Sequence, residues 1–152
     1  MLNRRAFLIT AAAAPAALSI ASPALAMTPE TYAVDGVALE GYDPVAYFKE
    51  ETDVKGSSAY STSWKGAEWH FASAENLADF EANPEAFAPQ YGGYCAYAVS
   101  KGYTAKTDAD AWTIHDGKLY LNFNKSVRRR WLKDVPGHVA SADANWPAVL
   151  NA

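Results

Sequence analysis

Between Tyr60 and Ala72 apolar and polar positions take turns, and that alternation is the clearest structural signal in the chain. Tyr60 to Trp64 and Glu68 to Ala72 flank Lys65-Gly66-Ala67, the arrangement of two strands joined by a glycine-containing turn. Side chains two apart share a face of a strand, so Trp69 and Phe71 point to one side and Glu68, His70 and Ala72 to the other. The period then lengthens. Leu77 and Phe80 lie three apart after Ser73, which predicts an amphipathic helix from Ala74 with Ser73 as its cap.

The same reading extends in both directions. Ala33 to Leu39 predicts a short strand pair about Asp35-Gly36, and Asp43-Pro44 predicts a helix start with Asp43 as N-cap. Thr52 to Ser58 is polar and reads as a loop. Asn83-Pro84 restarts a short helix through Phe87. Tyr91 to Gly102 satisfies both periods, and a short helix stopped at Gly102 is expected. Ala111 to Ile114 and Lys118 to Phe123 pair as a hairpin across His115-Asp116-Gly117. Asn124 then caps a helix through Lys133 with Trp131 facing inward, its basic residues suiting the helix C-terminus. A last helix is expected after Pro136-Gly137, running toward Asn145-Trp146-Pro147. Hairpins interspersed with short helices make an α+β domain, since strands and helices do not alternate as a parallel sheet requires.

The first 26 residues follow none of these periods. Asn3-Arg4-Arg5-Ala6-Phe7-Leu8 leads into an uncharged alanine-rich run that ends at Ala24-Leu25-Ala26. A basic start, an apolar middle and a small-residue triplet form a secretory signal, and the paired arginines indicate a twin-arginine type. Residues 1–26 are therefore expected to engage the twin-arginine export machinery and to be removed after Ala26, leaving residues 27–152 in the periplasm. That remainder suits one domain. Because the signal carries two arginines and no acid, its loss moves the formal charge from −4 to −6. A negative domain argues against nucleic acid as a partner, and the one stretch long enough to span a bilayer lies inside the signal.

Several separated motifs together resemble the YHS-domain proteins, specifically their exported bacterial branch. They are Gly41-Tyr42-Asp43-Pro44-Val45-Ala46-Tyr47-Phe48, Trp69-His70-Phe71-Ala72-Ser73-Ala74-Glu75-Asn76 and Tyr91-Gly92-Gly93-Tyr94-Cys95-Ala96. Ala111-Trp112, Asp116 to Asn122 and Asn145-Trp146-Pro147 extend the likeness across most of residues 27–152. The resemblance implies a YHS-like domain that handles a soft transition metal, copper among them, beside a metal-handling partner protein. This chain departs from the metal-associated form at two places, where Ala46 and Ala72 replace cysteines.

Cys95 is the only cysteine, so it forms no internal disulfide. A thiolate with imidazoles suits copper or zinc, which makes Cys95 with His70 the candidate metal pair, and His115 and His138 further candidates. The same thiol also fits a small redox protein or enzyme assisted by His70, or an inert buried residue in a purely structural or interaction domain. No nucleophile elbow occurs, Asp108 and Asp110 lie in a polar loop, and Gly92-Gly93 lacks the other residues of a phosphate loop. The balance is an accessory or binding protein, with no catalytic residue indicated.

Overall fold

The computed structural model describes residues 27–152. The signal and its cleavage point fall outside the described residues. Within them, β1 (Ala33–Val34) and β2 (Val37–Ala38) form the expected pair. Helix α1 (Pro44–Lys49) follows, then β3 (Ser57–Trp64), β4 (Ala67–Phe71), α2 (Ala74–Ala82) and α3 (Pro84–Phe87). A 3₁₀ turn at Gln90–Gly93 leads to α4 (Ala96–Ser100), the hairpin of β5 (Trp112–His115) and β6 (Lys118–Leu121), α5 (Lys125–Trp131) and α6 (Val135–Asn145). Strands β1 to β4 make one sheet in the order β1-β2-β4-β3, and β5-β6 stand as a second. The fold class is α+β, as the hairpin pattern predicts.

Each sheet turns its alternation into a core. Ala67, Trp69 and Phe71 of β4 are buried, while Glu68 and His70 face outward. Trp69 and Phe71 pack on Phe80 of α2 with ring centroids 5.3 and 5.0 Å apart. Val45 and Tyr47 of α1 complete this cluster. Strand β6 joins it to a second one: Leu119 and Leu121 enter the first cluster, and Tyr120 enters the second with Tyr91, Val99, Trp131 and Leu150. A two-residue period thus feeds two cores from one strand, each large buried side chain contributing about 1.5–3 kcal/mol.

Three helix starts are capped as their sequences require. Asp43 Oδ1 accepts from the Val45 and Ala46 amides, Ser73 Oγ from Asn76, and Asn124 Oδ1 from Val127. Two elements begin well before the sequence reading places them, and β4, β6 and α5 end one or two residues short of it. β3 begins at Ser57, inside the stretch expected to be a loop, because Gly56 lets the chain lie against the β4 backbone: a Cβ there would stand 2.6 Å from the His70 carbonyl carbon. The pairing shifts register between Ser57 and Ser61, so no side-chain alternation announces it. Helix α6 begins before Pro136-Gly137, since Asp134 accepts a hydrogen bond from the Gly137 amide at 3.1 Å and the proline sits in the first turn.

Candidate functional site

Cys95 lies immediately before α4, and almost none of its surface reaches solvent. Its Sγ–H donates to Asn122 Oδ1 at 3.5 Å, and the Phe123 amide donates to the sulfur at 3.2 Å. The same Asn122 oxygen accepts from the Tyr97 amide at 3.0 Å, which ties the start of α4 to the end of β6. Burial pushes the thiol pKa up, against the opposing pull of backbone amides at Ala98, Phe123 and Tyr97. The sulfur is therefore a neutral thiol at neutral pH, the opposite of a thiolate prepared for attack. Asn122 Nδ2, fully buried, finds no hydrogen-bond partner among the described residues.

His70 stands on the outer face of β4 and pairs through Nε2 with Glu68 Oε2 at 2.6 Å. Its Nδ1 and the Lys55 ammonium both approach Gly41, each 3.5 Å from where a Cβ on that glycine would stand. His115 lies beside Asp116 at 3.4 Å, at the β5-β6 turn. His138 is half-buried, its ring 5.1 Å from that of Tyr97 and its Nδ1 3.4 Å from Ser100 Oγ, because α6 packs across α4. Cys95 and His70 thus have separate partners, and among the described residues no three His, Cys, Asp or Glu side chains converge as a metal-holding group.

A concave region lies elsewhere on the fold. A cleft of about 290 Å³ opens where the β3-β4 turn, residues 30–31, the segment from α3 to the 3₁₀ turn, and the end of α6 meet. The half-buried Trp64 and Trp146 supply its aromatic surface, the almost wholly enclosed Trp69 and Tyr91 border it, and Glu30, Glu85, Asp143 and Lys65 supply its charges. Two hydrogen bonds fix the lining: Trp69 Nε1 donates to the Trp64 carbonyl at 2.9 Å, and the Tyr91 hydroxyl donates to Asp143 Oδ1 at 2.8 Å. Thr31 Oγ1 donates to the Lys65 carbonyl at 2.9 Å, so the rim of the hairpin is tied to the strand-preceding segment. Gly92 allows that segment in, since a Cβ there would collide with the Glu30 carbonyl oxygen. A second hollow, of about 240 Å³, is lined by Glu40, Tyr42, Asp53, Asp108 and Asp110. It has one tyrosine and no opposing wall of rings.

No local pattern in the sequence marks this cleft. Its lining comes from positions near 30, 65, 90 and 145, which only the fold brings together. Among the described residues no helix is long and apolar enough to cross a membrane. Comparison with curated proteins and with solved structures returns no match. Residues 45–91, from α1 through the residue that forms part of the cleft wall, match the YHS domain; β5, β6, α5 and α6 lie beyond the matched residues.

Proposed function

We propose that this chain is an exported, periplasmic binding or accessory protein built on a YHS domain, whose small-molecule ligand enters the cleft between Trp64 and Trp146. The observation that carries this reading is the cleft itself: a concave space of about 290 Å³, near the lower size of ligand pockets, with the half-buried indoles of Trp64 and Trp146 in its wall and charged groups at its edge. The rings offer a flat organic body apolar contact, and the charged rim orients it. A binding role also agrees with a neutral, enclosed Cys95, which supplies no nucleophile. The test is an NMR titration of the protein with 4-phenylbutanol. Saturable shifts in the Lys65 to Trp69 and Gln90 to Gly92 amides support the reading, and shifts spread evenly over the surface overturn it. Export is tested separately by fractionating cells that express the chain with its own leader or with Arg4 and Arg5 replaced by lysine.

A second reading rests on the YHS match: capture of copper or zinc by Cys95 with His70, in concert with a metal-handling partner protein. It requires the sulfur to leave Asn122 and the Phe123 amide and to become exposed, because both contacts and the burial of Cys95 shut a metal out. Metal analysis of the exported protein beside Cys95→Ala decides it. Near-stoichiometric metal lost in the variant supports the reading, and equal trace metal in both ends it.

A further inference from the structure

Lys65 already occupies part of the cleft as a cation. Its Nζ lies over the Trp64 ring at 4.7 Å from the centroid, within 3.6 Å of Glu30 Oε1 and 3.4 Å of Glu85 Oε1. The two carboxylates come from segments far apart in sequence, so this is a subsite assembled by the fold: one indole face and two acids around a single ammonium. Asp143 adds a third carboxylate to the lining, which leaves three acids against one lysine. Aromatic faces and carboxylates both attract a cation, and the attraction grows as water is excluded.

The lysine is a weak tenant. Its side chain is 40% exposed, its two ion pairs are long and exposed, and its four-carbon stem must be held in one arrangement to make them. Its backbone is fixed independently, by the Thr31 hydrogen bond to its carbonyl. The ammonium can therefore swing into solvent while the turn that carries it stays in place.

We infer that the cleft binds an organic ammonium with a flat apolar body, and that Lys65 is a built-in competitor which the ligand's cationic head displaces. The inference rests on the cleft-binding reading and adds the ligand's charge. The head takes the place of Nζ over Trp64 between Glu30 and Glu85, and the body lies along Trp146. Removing the lysine's charge while keeping its stem frees the subsite, whereas removing the two acids takes away its preference for a cation.

The experiment follows tryptophan fluorescence and amide shifts while 4-phenylbutylammonium, 4-phenylbutanol and 4-phenylbutyrate are titrated into the wild type, Lys65→Met and the double variant Glu30→Gln with Glu85→Gln. The expected order in the wild type is ammonium, then alcohol, then carboxylate, with the ammonium about fivefold tighter than the alcohol at low salt. Lys65→Met widens that gap, the double variant closes it, and salt weakens only the ammonium in the wild type. If the alcohol binds as tightly as the ammonium in both wild type and Lys65→Met, the charge inference fails while cleft binding stands. If none of the three shifts the cleft amides, both fall. The salt dependence is read on the wild type alone, so a variant that unfolds does not protect the inference.

Discussion

Asp43 is the residue on which most backbone structure converges. Oδ1 caps α1 through the Val45 and Ala46 amides, and Oδ2 accepts from the Ala72 amide and from Asn76 Nδ2, each at 2.8 Å. One fully buried carboxylate thus holds a helix start, the end of β4 and the first turn of α2. The sequence showed the cap, because Asp before Pro is a local signal; it hid the other two bonds, whose donors lie about thirty residues away. Asp43→Ala leaves four donors without their acceptor, and buried donors stripped of a charged partner are expensive. The expected loss is about 3–5 kcal/mol, read as a lower urea midpoint with an unchanged slope. Asp43→Asn keeps one oxygen but turns an amide toward donors, so it recovers only part of the loss. A loss no larger than the roughly 1 kcal/mol of an ordinary cap would show that Ala72 and Asn76 draw little from this side chain.

At the scale of elements, legibility followed the range of the interaction that defines each one. The β4 strand, the β5-β6 hairpin and the caps of α1, α2 and α5 were readable because alternation, turn residues and capping act within a few positions. The first residues of β3 were not, since Ser57 and Ser58 carry no pattern and only the close approach at Gly56 brings them to β4. Cys95 and His70 were identifiable as chemical types, but the sequence could not say that one faces Asn122 and the other Glu68. The 3₁₀ turn at Gln90–Gly93 is the element whose failure is easiest to forecast. Gly92 has φ +63 and its Cα faces the Glu30 carbonyl, while the Tyr32 amide donates to the Gly92 carbonyl at 2.8 Å. Gly92→Ala adds a strained backbone and a steric clash with main chain that cannot rotate away. Its expected cost is about 2–4 kcal/mol in denaturant unfolding, together with weaker 4-phenylbutylammonium binding, because residues 30–31 form one wall of the cleft. A variant as stable as the wild type would mean that this segment moves aside freely.

Across the whole molecule, the two aromatic cores make stability depend on alkaline pH. Tyr47 has no exposed surface and donates its hydroxyl to the Ala109 carbonyl at 2.8 Å, and Tyr91 donates to Asp143. Burial raises the pKa of both, and for Tyr91 the bond to Asp143 raises it further; Tyr32 is pushed up to about 12, chiefly by burial and then by Glu40. Cys95 is raised for the same leading reason. In each case the folded state holds its proton longer than the unfolded chain. The stabilisation is therefore complete below the unfolded pKa, about 8.5 for cysteine and about 10 for tyrosine, and drains away as pH rises past it. Above pH 10 an enclosed tyrosine that stays protonated only in the folded state, as Tyr47 and Tyr91 do, removes up to about 1.4 kcal/mol per pH unit, and the more exposed Tyr32 less, so together they unfold the domain over a narrow range. Melting temperature should be level up to about pH 8, decline slightly from about pH 9 and fall steeply beyond pH 10. Cys95→Ala should melt lower at pH 7 yet lose the early decline, keeping the steep fall. If instead the melting temperature of the wild type held level to pH 11, the tyrosine hydroxyls of both cores would have to ionise without leaving the fold, and the enclosed packing of Tyr47 and Tyr91 would be refuted.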